Sequence, residues 1–261
     1  MRHNLTELAN NPNFISGIYN YCDRWCERCP FTSRCLVYAT EQDDDDQDPQ
    51  SRDITNEAFW RKLASIFQET QQMLAAWAEK EGIDLSQVDE EAVTRSERRR
   101  SDAEHDERAI VARNYASAVS QWFTEFDQII NATDLEPNQS EVEEAQEIED
   151  AREVLHWYQY QIAVKLMRAL SSRSNEAEWE NEAEGEDPAR DSDGSAKVAL
   201  VGIDRSISAW RLMQMCLPER ADSVTPLILH LELLRQKTEL KFPNARDFIR
   251  PGFDEVLGEA N

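Results

Sequence analysis

The chain has 261 residues, of which 40% are hydrophobic and 31% are charged, and its formal net charge is −24. This length allows a sizeable core, and the scarcity of glycine, with seven residues, together with long stretches rich in helix-favouring residues predicts an all-α fold. The negative charge repels phosphate backbones and anionic lipid head groups, so we expect neither nucleic acid nor a membrane surface as a partner, and a protein remains the partner class.

The N-terminal segment, MRHNLTELANNPNF, contains no apolar run of signal-peptide length, and no stretch of the chain approaches the length of a membrane-spanning helix. We therefore expect a cytoplasmic protein. Because thiols stay reduced in the cytoplasm, cysteines that cluster in the sequence are expected to be metal ligands and not disulfide partners.

The first predicted helix begins at Pro12, with Asn11 as its N-cap, and Pro30 ends it. It carries the following residues at helical spacing: Ile15, Ile18, Tyr19, Cys22, Trp25 and Cys26. The acidic run that follows, EQDDDDQDPQ, cannot bury its charges and predicts a solvated linker. The predicted organisation is a cysteine-rich metal-binding module over residues 1–40, an acidic linker over 41–53, a helical bundle over 54–242 and a C-terminal tail over 243–261.

The bundle is predicted to contain about five long helices. Apolar residues recur at helical spacing over five segments, 55–82, 102–130, 140–172, 195–216 and 225–240. In the first segment the predicted buried stripe consists of Phe59, Leu63, Ile66, Phe67, Leu74 and Trp77. The fourth segment is apolar around most of its circumference and is expected at the centre of the bundle. Residues 174–193 form a low-complexity acidic stretch, which predicts a disordered loop.

Four cysteines carry the clearest chemistry of the chain. Cys22, Cys26, Cys29 and Cys35 have the spacing Cys-x3-Cys-x2-Cys-x5-Cys. Four thiolates on so short a segment supply the tetrahedral ligands of a structural Zn²⁺ ion or the corners of an iron–sulfur cluster, here of the 4Fe–4S type. The spacing of the first three resembles that of radical S-adenosylmethionine enzymes, and the resemblance is confined to the spacing, because those enzymes are built on strand–helix repeats. The fifth cysteine, Cys216, is expected in the core.

The local conformation of this segment bears on the choice between zinc and a cluster. If a regular helix joins Cys22 to Cys29, their Cα atoms lie about 10.5 Å apart on one face. Thiolates on one zinc ion are only about 3.8 Å apart, so a regular helix favours the wider four-iron cube. If the helix unwinds after Cys26, then Cys26 and Cys29 form a knuckle that suits zinc. Because the pattern is that of a continuous helix, the cluster is the first interpretation and zinc is the second.

The predicted bundle contains one element that could belong to a second metal site. Glu153 and His156 form a Glu-x-x-His element, which ferritin-like di-iron carboxylate proteins carry on two of four helices. The chain has four histidines, and none of the other three follows a glutamate at this spacing. His156 is therefore interpreted first as a helix-face histidine paired with a neighbouring acid.

Charged residues interrupt the apolar patterns of the later helices, at Lys165, Asp204, Arg205 and His230. Burying an ionisable group is costly unless the group is paired. We therefore predict that Asp204 and Arg205 are at least partly buried and that one of them forms an ion pair. The predicted partners are Lys165, His230 and Glu232. A buried ion-pair network is the first interpretation, and a catalytic or ligand-binding pocket is the alternative.

Three functions from different classes follow from these features. The first is an iron–sulfur redox protein, the second is a non-enzymatic interaction or scaffold protein with a structural zinc module, and the third is a ferritin-like carboxylate metalloenzyme. The sequence contains no Gly-x-x-x-x-Gly-Lys, Gly-x-Ser-x-Gly or His-Glu-x-x-His motif for nucleotide or hydrolytic chemistry. Neither a particular reaction nor an oligomeric state follows from the sequence.

Overall fold

The computed structural model describes residues 11–43, 53–85, 90–130, 139–179 and 191–254. Seven α-helices lie within these residues: α1 (Leu36–Asp43), α2 (Glu57–Glu81), α3 (Glu90–His105), α4 (Glu107–Ile130), α5 (Gln139–Trp179), α6 (Asp191–Cys216) and α7 (Ala221–Lys241). The same residues include short 3₁₀ turns at Ile18–Asn20, Cys26–Arg28, Thr32–Arg34 and Pro218–Arg220. No β-strand occurs in them, so the predicted all-α class is confirmed, although the helices number seven where about five long ones were predicted. None of the described helices combines the length and the apolar composition that crossing a membrane requires.

The chain divides into two compact units. The first comprises Met1–Ile15 and Cys29–Ser96, and the second comprises Ser16–Arg28 and Glu97–Asn261. This division differs from the predicted organisation, in which a linker at 41–53 separates the whole cysteine-rich segment from the bundle. Ser16–Arg28 instead belong with the bundle helices.

The first unit contains α1 and α2. Helix α2 has a well-formed start, because the Asn56 side chain accepts a hydrogen bond from the backbone N–H of Ala58 at 2.9 Å. Most of its predicted buried stripe is exposed within the described structure: Phe67 and Trp77 are 61% and 51% exposed, whereas Phe59 and Leu63 are half-buried. The physical reason is that no other described element of this unit packs extensively against the apolar face of α2.

The second unit is a bundle in which α4, α5, α6 and α7 pack together. Its largest fully buried side chains include Trp210, Tyr115, Tyr158, Leu155, Ile162 and Leu200. Trp210 donates its indole N–H to the hydroxyl of Tyr115 at 2.9 Å, so each satisfies the polar group of the other inside the core. Helix α6 is buried around most of its circumference, as predicted.

The predicted helix at 102–130 is two helices in the structure. Helix α3 ends at His105 and α4 begins at Glu107. Asp106 separates them, because its carboxylate accepts a hydrogen bond from the backbone N–H of Arg108 at 2.8 Å and so caps the start of α4. The apolar pattern of the sequence continues across this boundary and gives no sign of the break, which the local cap produces.

The predicted acidic loop at 174–193 is shorter than expected. Helix α5 continues to Trp179 and α6 already begins at Asp191. The carboxylate of Glu176 accepts hydrogen bonds from the backbone N–H and the hydroxyl of Ser192, at 2.9 and 2.7 Å. A carboxylate at the first turn stabilises a helix start, which explains why α6 extends into the acidic stretch. The rest of this predicted loop, 180–190, and most of the predicted linker, 44–52, lie outside the described residues.

After α7 the chain forms short turns as far as Asp254, as predicted for the tail. Lys197 of α6 fixes these turns, since its ammonium group lies 2.9 Å from the Asp254 carboxylate and donates a hydrogen bond to the Phe248 carbonyl at 2.5 Å. The tail therefore packs on the bundle through a half-buried ion pair.

Candidate functional site

The cysteine-rich segment folds as a series of turns, and the predicted helix, which begins at Pro12 and is ended by Pro30, is wrong. Between residues 11 and 35 the helical structure is limited to the three short 3₁₀ turns given above. Gly17 at φ 73° and Arg24 at φ 58° both adopt left-handed conformations. A right-handed helix cannot continue through such residues, so the backbone breaks on both sides of Cys22.

Local hydrogen bonds from side chains explain why turns form here. The Asn11 carboxamide oxygen accepts from the backbone N–H of Asn13 at 3.0 Å, and the Asp23 carboxylate accepts from the backbone N–H of Trp25 at 3.2 Å. Bonds of this type satisfy the backbone without a helix, and they are typical of asparagine and aspartate in turns. The helical spacing of the apolar residues does not predict these side-chain hydrogen bonds.

The four cysteines lie at or beside these turns. Cys26 is the first residue of the Cys26–Arg28 turn, and Cys29 directly follows that turn. Cys35 directly follows the Thr32–Arg34 turn. All four are half-buried, and no disulfide links any of the cysteines of the chain.

Two of the sulfur atoms take part in hydrogen bonds with the backbone. The Sγ of Cys29 accepts a hydrogen bond from the backbone N–H of Phe31 at 3.4 Å. The Cys22 thiol donates to the carbonyl of Tyr19 at 3.5 Å. Burial raises the pKa of the Cys22 thiol, which favours its protonated form in the absence of a metal.

Ser16–Arg28, here called the docking segment, is held on the bundle at three side chains. The first is Asp23, whose carboxylate accepts hydrogen bonds from the Tyr158 hydroxyl at 2.5 Å and from the Arg205 guanidinium at 2.7 Å. The carbonyl of Asp23 accepts further hydrogen bonds from the side chains of Trp157 and Gln161. One residue of the docking segment thus joins α5 and α6.

Trp25 is the second anchor. Its buried ring stacks on the Trp157 ring, with centroids 5.0 Å apart and an interplanar angle of 15°. The guanidinium of Arg28 lies 4.3 Å from the Trp25 ring centroid and forms an ion pair with Glu153. The aromatic contact and the ion pair fix the end of the docking segment to α5.

Tyr21 is the third anchor. Its hydroxyl donates to the Asp191 carboxylate at 3.0 Å, and its ring centroid lies 4.7 Å from that of Phe248. Asp191 also accepts hydrogen bonds from Arg168 at 2.8 Å and from Ser172 at 2.7 Å. Burial, followed by the charge of Asp191, raises the pKa of Tyr21 to about 12. Cys22 therefore lies between two anchored residues.

The predicted partners of the charged residues are wrong. Asp204 is partly buried, as predicted, but its ion pairs are with Arg235 at 3.4 Å and Arg246 at 2.5 Å. Arg205 pairs with Asp23 of the docking segment, and its side chain is 53% exposed. Sequence spacing could not reveal these pairs, because every partner lies far away along the chain.

The remaining predicted partners have other contacts. His230 lies with Nε2 2.8 Å from the carbonyl oxygen of Val111, and Glu232 forms an ion pair with Arg211 at 2.9 Å. Lys165 is buried, and burial lowers the pKa of its ammonium group while the neighbouring Cys22 opposes that shift. Lys165 thus faces the cysteine segment rather than Asp204 or Arg205.

Glu153 and His156 have separate surroundings. Glu153 pairs with Arg28, whereas the imidazole of His156 stacks on the Phe123 ring at 4.4 Å and lies 3.4 Å from the Arg152 guanidinium. These contacts occupy the glutamate and direct the histidine towards an aromatic ring, so the pair does not resemble a carboxylate metal site.

The anchor residues Tyr21, Asp23 and Trp25 were not among the predicted site residues. The sequence signal that could have found them is the alternation of aromatic and charged residues in Tyr-Cys-Asp-Arg-Trp, which places large rings on either side of a carboxylate. Such a pattern in a turn indicates a segment that packs against other elements. Its partners, Tyr158 and Arg205, are more than 100 residues away and carry no local signal.

Each of the two units contains two of the four cysteines. Cys22 and Cys26 belong to the second unit, and Cys29 and Cys35 belong to the first. Within the described ranges no three His, Cys, Asp or Glu side chains lie close enough together to hold a metal ion. Comparison of the chain with protein-family models, with characterised proteins and with solved structures gives no match.

Proposed function

We propose that the protein is a cytoplasmic, non-enzymatic interaction protein in which Cys22, Cys26, Cys29 and Cys35 bind one structural Zn²⁺ ion. The observation that carries this proposal is the Cys26–Arg28 turn, which occupies the place of the predicted helix. An acidic protein body, with a formal net charge of −24, suits a protein partner better than a phosphate-rich one.

The turn removes the main argument against zinc. A regular helix between Cys22 and Cys29 would hold their Cα atoms about 10.5 Å apart, too far for two thiolates of one zinc ion. A Cys-x2-Cys pair around a short turn is the usual arrangement in which two thiolates reach one tetrahedral ion. Because zinc-bound thiolates lie only about 3.8 Å apart, a tight turn favours zinc over a four-iron cube.

The backbone around Cys29 supports a thiolate at that position. Its Sγ already accepts the Phe31 N–H at 3.4 Å, and a donor in this position stabilises negative charge on sulfur. Zinc binds the thiolate and not the thiol, so a donor of this type orients the ligand and strengthens its binding.

The docking segment supports the other end of the proposed site. Tyr21, Asp23 and Trp25 fix the backbone on both sides of Cys22, and a ligand held in this way loses little conformational entropy when it binds. Among the described residues no three ligating side chains lie close together, so we expect the thiols to close around the ion as it binds. Such coupling between metal binding and local folding is common in small zinc sites.

A 4Fe–4S cluster is the second candidate. The observation that favours it is the all-cysteine ligand set, which is the usual one for such clusters. The protein would then be a redox protein. We do not propose a ferritin-like carboxylate site, because Glu153 pairs with Arg28 and His156 packs on Phe123.

Serine substitution of each cysteine tests the proposal in the full-length protein. Elemental analysis of the wild type is expected to give one zinc per chain, and substitution of any of the four proposed ligands is expected to abolish this stoichiometry. Cys216→Ser is the matched control, since Cys216 lies at the end of α6 outside the motif, and it should keep the zinc. Iron with acid-labile sulfide would replace the proposal by the second candidate, and a metal-free wild type would reject both.

A further inference from the structure

Helix α2 presents a continuous apolar face that the described structure leaves exposed. Its members are 42% to 61% exposed: Trp60, Ile66, Phe67, Met73, Leu74 and Trp77. The helix has 25 residues and is therefore about 37 Å long. Soluble proteins rarely leave an apolar face of this size in water, and such a face is typical of an interaction surface.

The spacing along this face is that of the contact line between two paired helices, here called the seam. Trp60, Leu63, Phe67, Leu74 and Trp77 fall at alternating intervals of three and four residues when Thr70 is included. Thr70 is the only polar member, and its hydroxyl donates to the carbonyl of Ile66 at 2.8 Å. The seam can therefore be buried without leaving this hydroxyl unsatisfied.

We propose that this face binds the same face of a second copy of the chain, so that two α2 helices pair in antiparallel orientation. In the best-matched register each seam residue lies opposite a seam residue of the other copy. The resulting pairs are Trp60 with Trp77, Leu63 with Leu74, and Phe67 with Thr70. At the flank of the seam, Ile66 lies opposite Met73 of the second copy.

The charges at the two ends of α2 favour a second copy of the chain as the binding partner. They also favour antiparallel over parallel pairing of the two helices. The first two turns carry Glu57, Arg61 and Lys62, with a sum of +1, and the last turn carries Glu79, Lys80 and Glu81, with a sum of −1. Antiparallel pairing brings each positive end next to a negative end, and it also aligns the helix dipoles favourably. Parallel pairing would bring like ends together.

Sedimentation equilibrium of the full-length protein tests the proposal. The wild type is expected to be a dimer, and Phe67→Glu is expected to shift it to a monomer because it buries a charge in the seam. Gln72→Glu is the matched control, since it adds the same charge to an exposed position outside the seam and should remain dimeric. A monomeric wild type, or a dimer that survives Phe67→Glu unchanged, would overturn the proposal.

Zero-length carbodiimide cross-linking tests the direction of pairing. Glu57 and Lys80 flank the seam at the same level in the antiparallel pair, but they are too far apart within one helix to be linked, since 23 residues of helix span about 34 Å. A cross-link between their peptides, found only in the dimer fraction, is therefore the expected intermolecular product. A dimer that lacks links between opposite ends of α2 and instead links residues near the same end would contradict antiparallel pairing.

Discussion

The carboxylate of Asp23 receives three hydrogen bonds, from the Tyr158 hydroxyl, from the Arg205 guanidinium and from the backbone of Trp25. Its side chain is only 18% exposed, so these bonds replace most of its contact with water. Burial raises the pKa of Tyr158 above its ordinary value, and its hydroxyl accordingly acts as a donor. One acidic residue in a turn thus fixes the docking segment to two helices.

Asp23→Ala is expected to lower the free energy of unfolding by about 1 to 3 kcal/mol, because the hydroxyl of the buried Tyr158 loses its acceptor. Urea denaturation measures the change. Asp247→Ala, at an exposed aspartate of the tail, is the control and should change stability by less than about 0.5 kcal/mol. Equal losses of unfolding free energy in the two variants would show that the hydrogen bonds of Asp23 do not stabilise the fold.

Asp254 gives a prediction for the dependence of stability on pH. Burial alone would raise the pKa of this carboxyl, but hydrogen bonds from Arg250 and Lys197 outweigh it and hold the pKa well below its usual range. The unfolded chain therefore takes up the proton at a higher pH than the folded chain. The stabilisation by Asp254 is present above about pH 4 and is lost as the pH falls further.

Asp254→Asn is expected to lower stability at neutral pH and to flatten the loss of stability below about pH 4. Denaturation of both proteins at a series of pH values checks this, with the difference between them as the readout. A difference that stays constant between pH 7 and pH 2 would contradict the account.

At the scale of elements, the docking segment and α6 pack so closely that they require glycine at position 194. A Cβ at Gly194 would lie 2.4 Å from the Tyr21 ring and 2.7 Å from the Phe248 ring. Gly194→Ala is therefore expected to destabilise the protein by about 1 to 3 kcal/mol. Helix propensity alone predicts the opposite sign, a gain of up to about 1 kcal/mol, so a thermal unfolding experiment that shows stabilisation would contradict this packing.

The bundle helices could be predicted from sequence because their apolar residues recur with the helical period. Helix α6 is the clearest case, since an apolar circumference implies burial on all sides, and the structure confirms it. For α2 the same periodicity indicated an apolar face correctly, but it could not tell what covers that face. Periodicity therefore predicts the existence of a helix better than its partner.

The cysteine segment could not be predicted as turns for a different reason. Apolar residues at helical spacing, such as Ile18 and Trp25, are both buried, yet Ile18 lies in a 3₁₀ turn and Trp25 is held by stacking on Trp157. Their burial arises from contacts with other elements and not from a helix of their own. The spacing of the cysteines was evident from the sequence, whereas the conformation between them depends on long-range contacts such as Asp23 with Arg205.

At the scale of the whole molecule, the metal site and the bundle are expected to respond differently to loss of the metal. The bundle has its own core, formed by α4 to α7, whereas the segment from Cys22 to Cys35 is too short to have one. Chelation is expected to leave far-ultraviolet circular dichroism nearly unchanged and to increase hydrogen exchange in residues 26–35. A cooperative loss of helicity on chelation would show that the metal holds the entire protein together.

X-ray absorption spectroscopy at the zinc edge tests whether the four cysteines bind zinc, because it reports the identity, number and distance of the ligands. For full-length protein purified under anaerobic conditions, we expect one zinc per chain with four sulfur neighbours at about 2.3 Å. A spectrum dominated by nitrogen or oxygen neighbours, or a protein that contains iron and no zinc, would contradict the claim that Cys22, Cys26, Cys29 and Cys35 form a structural zinc site.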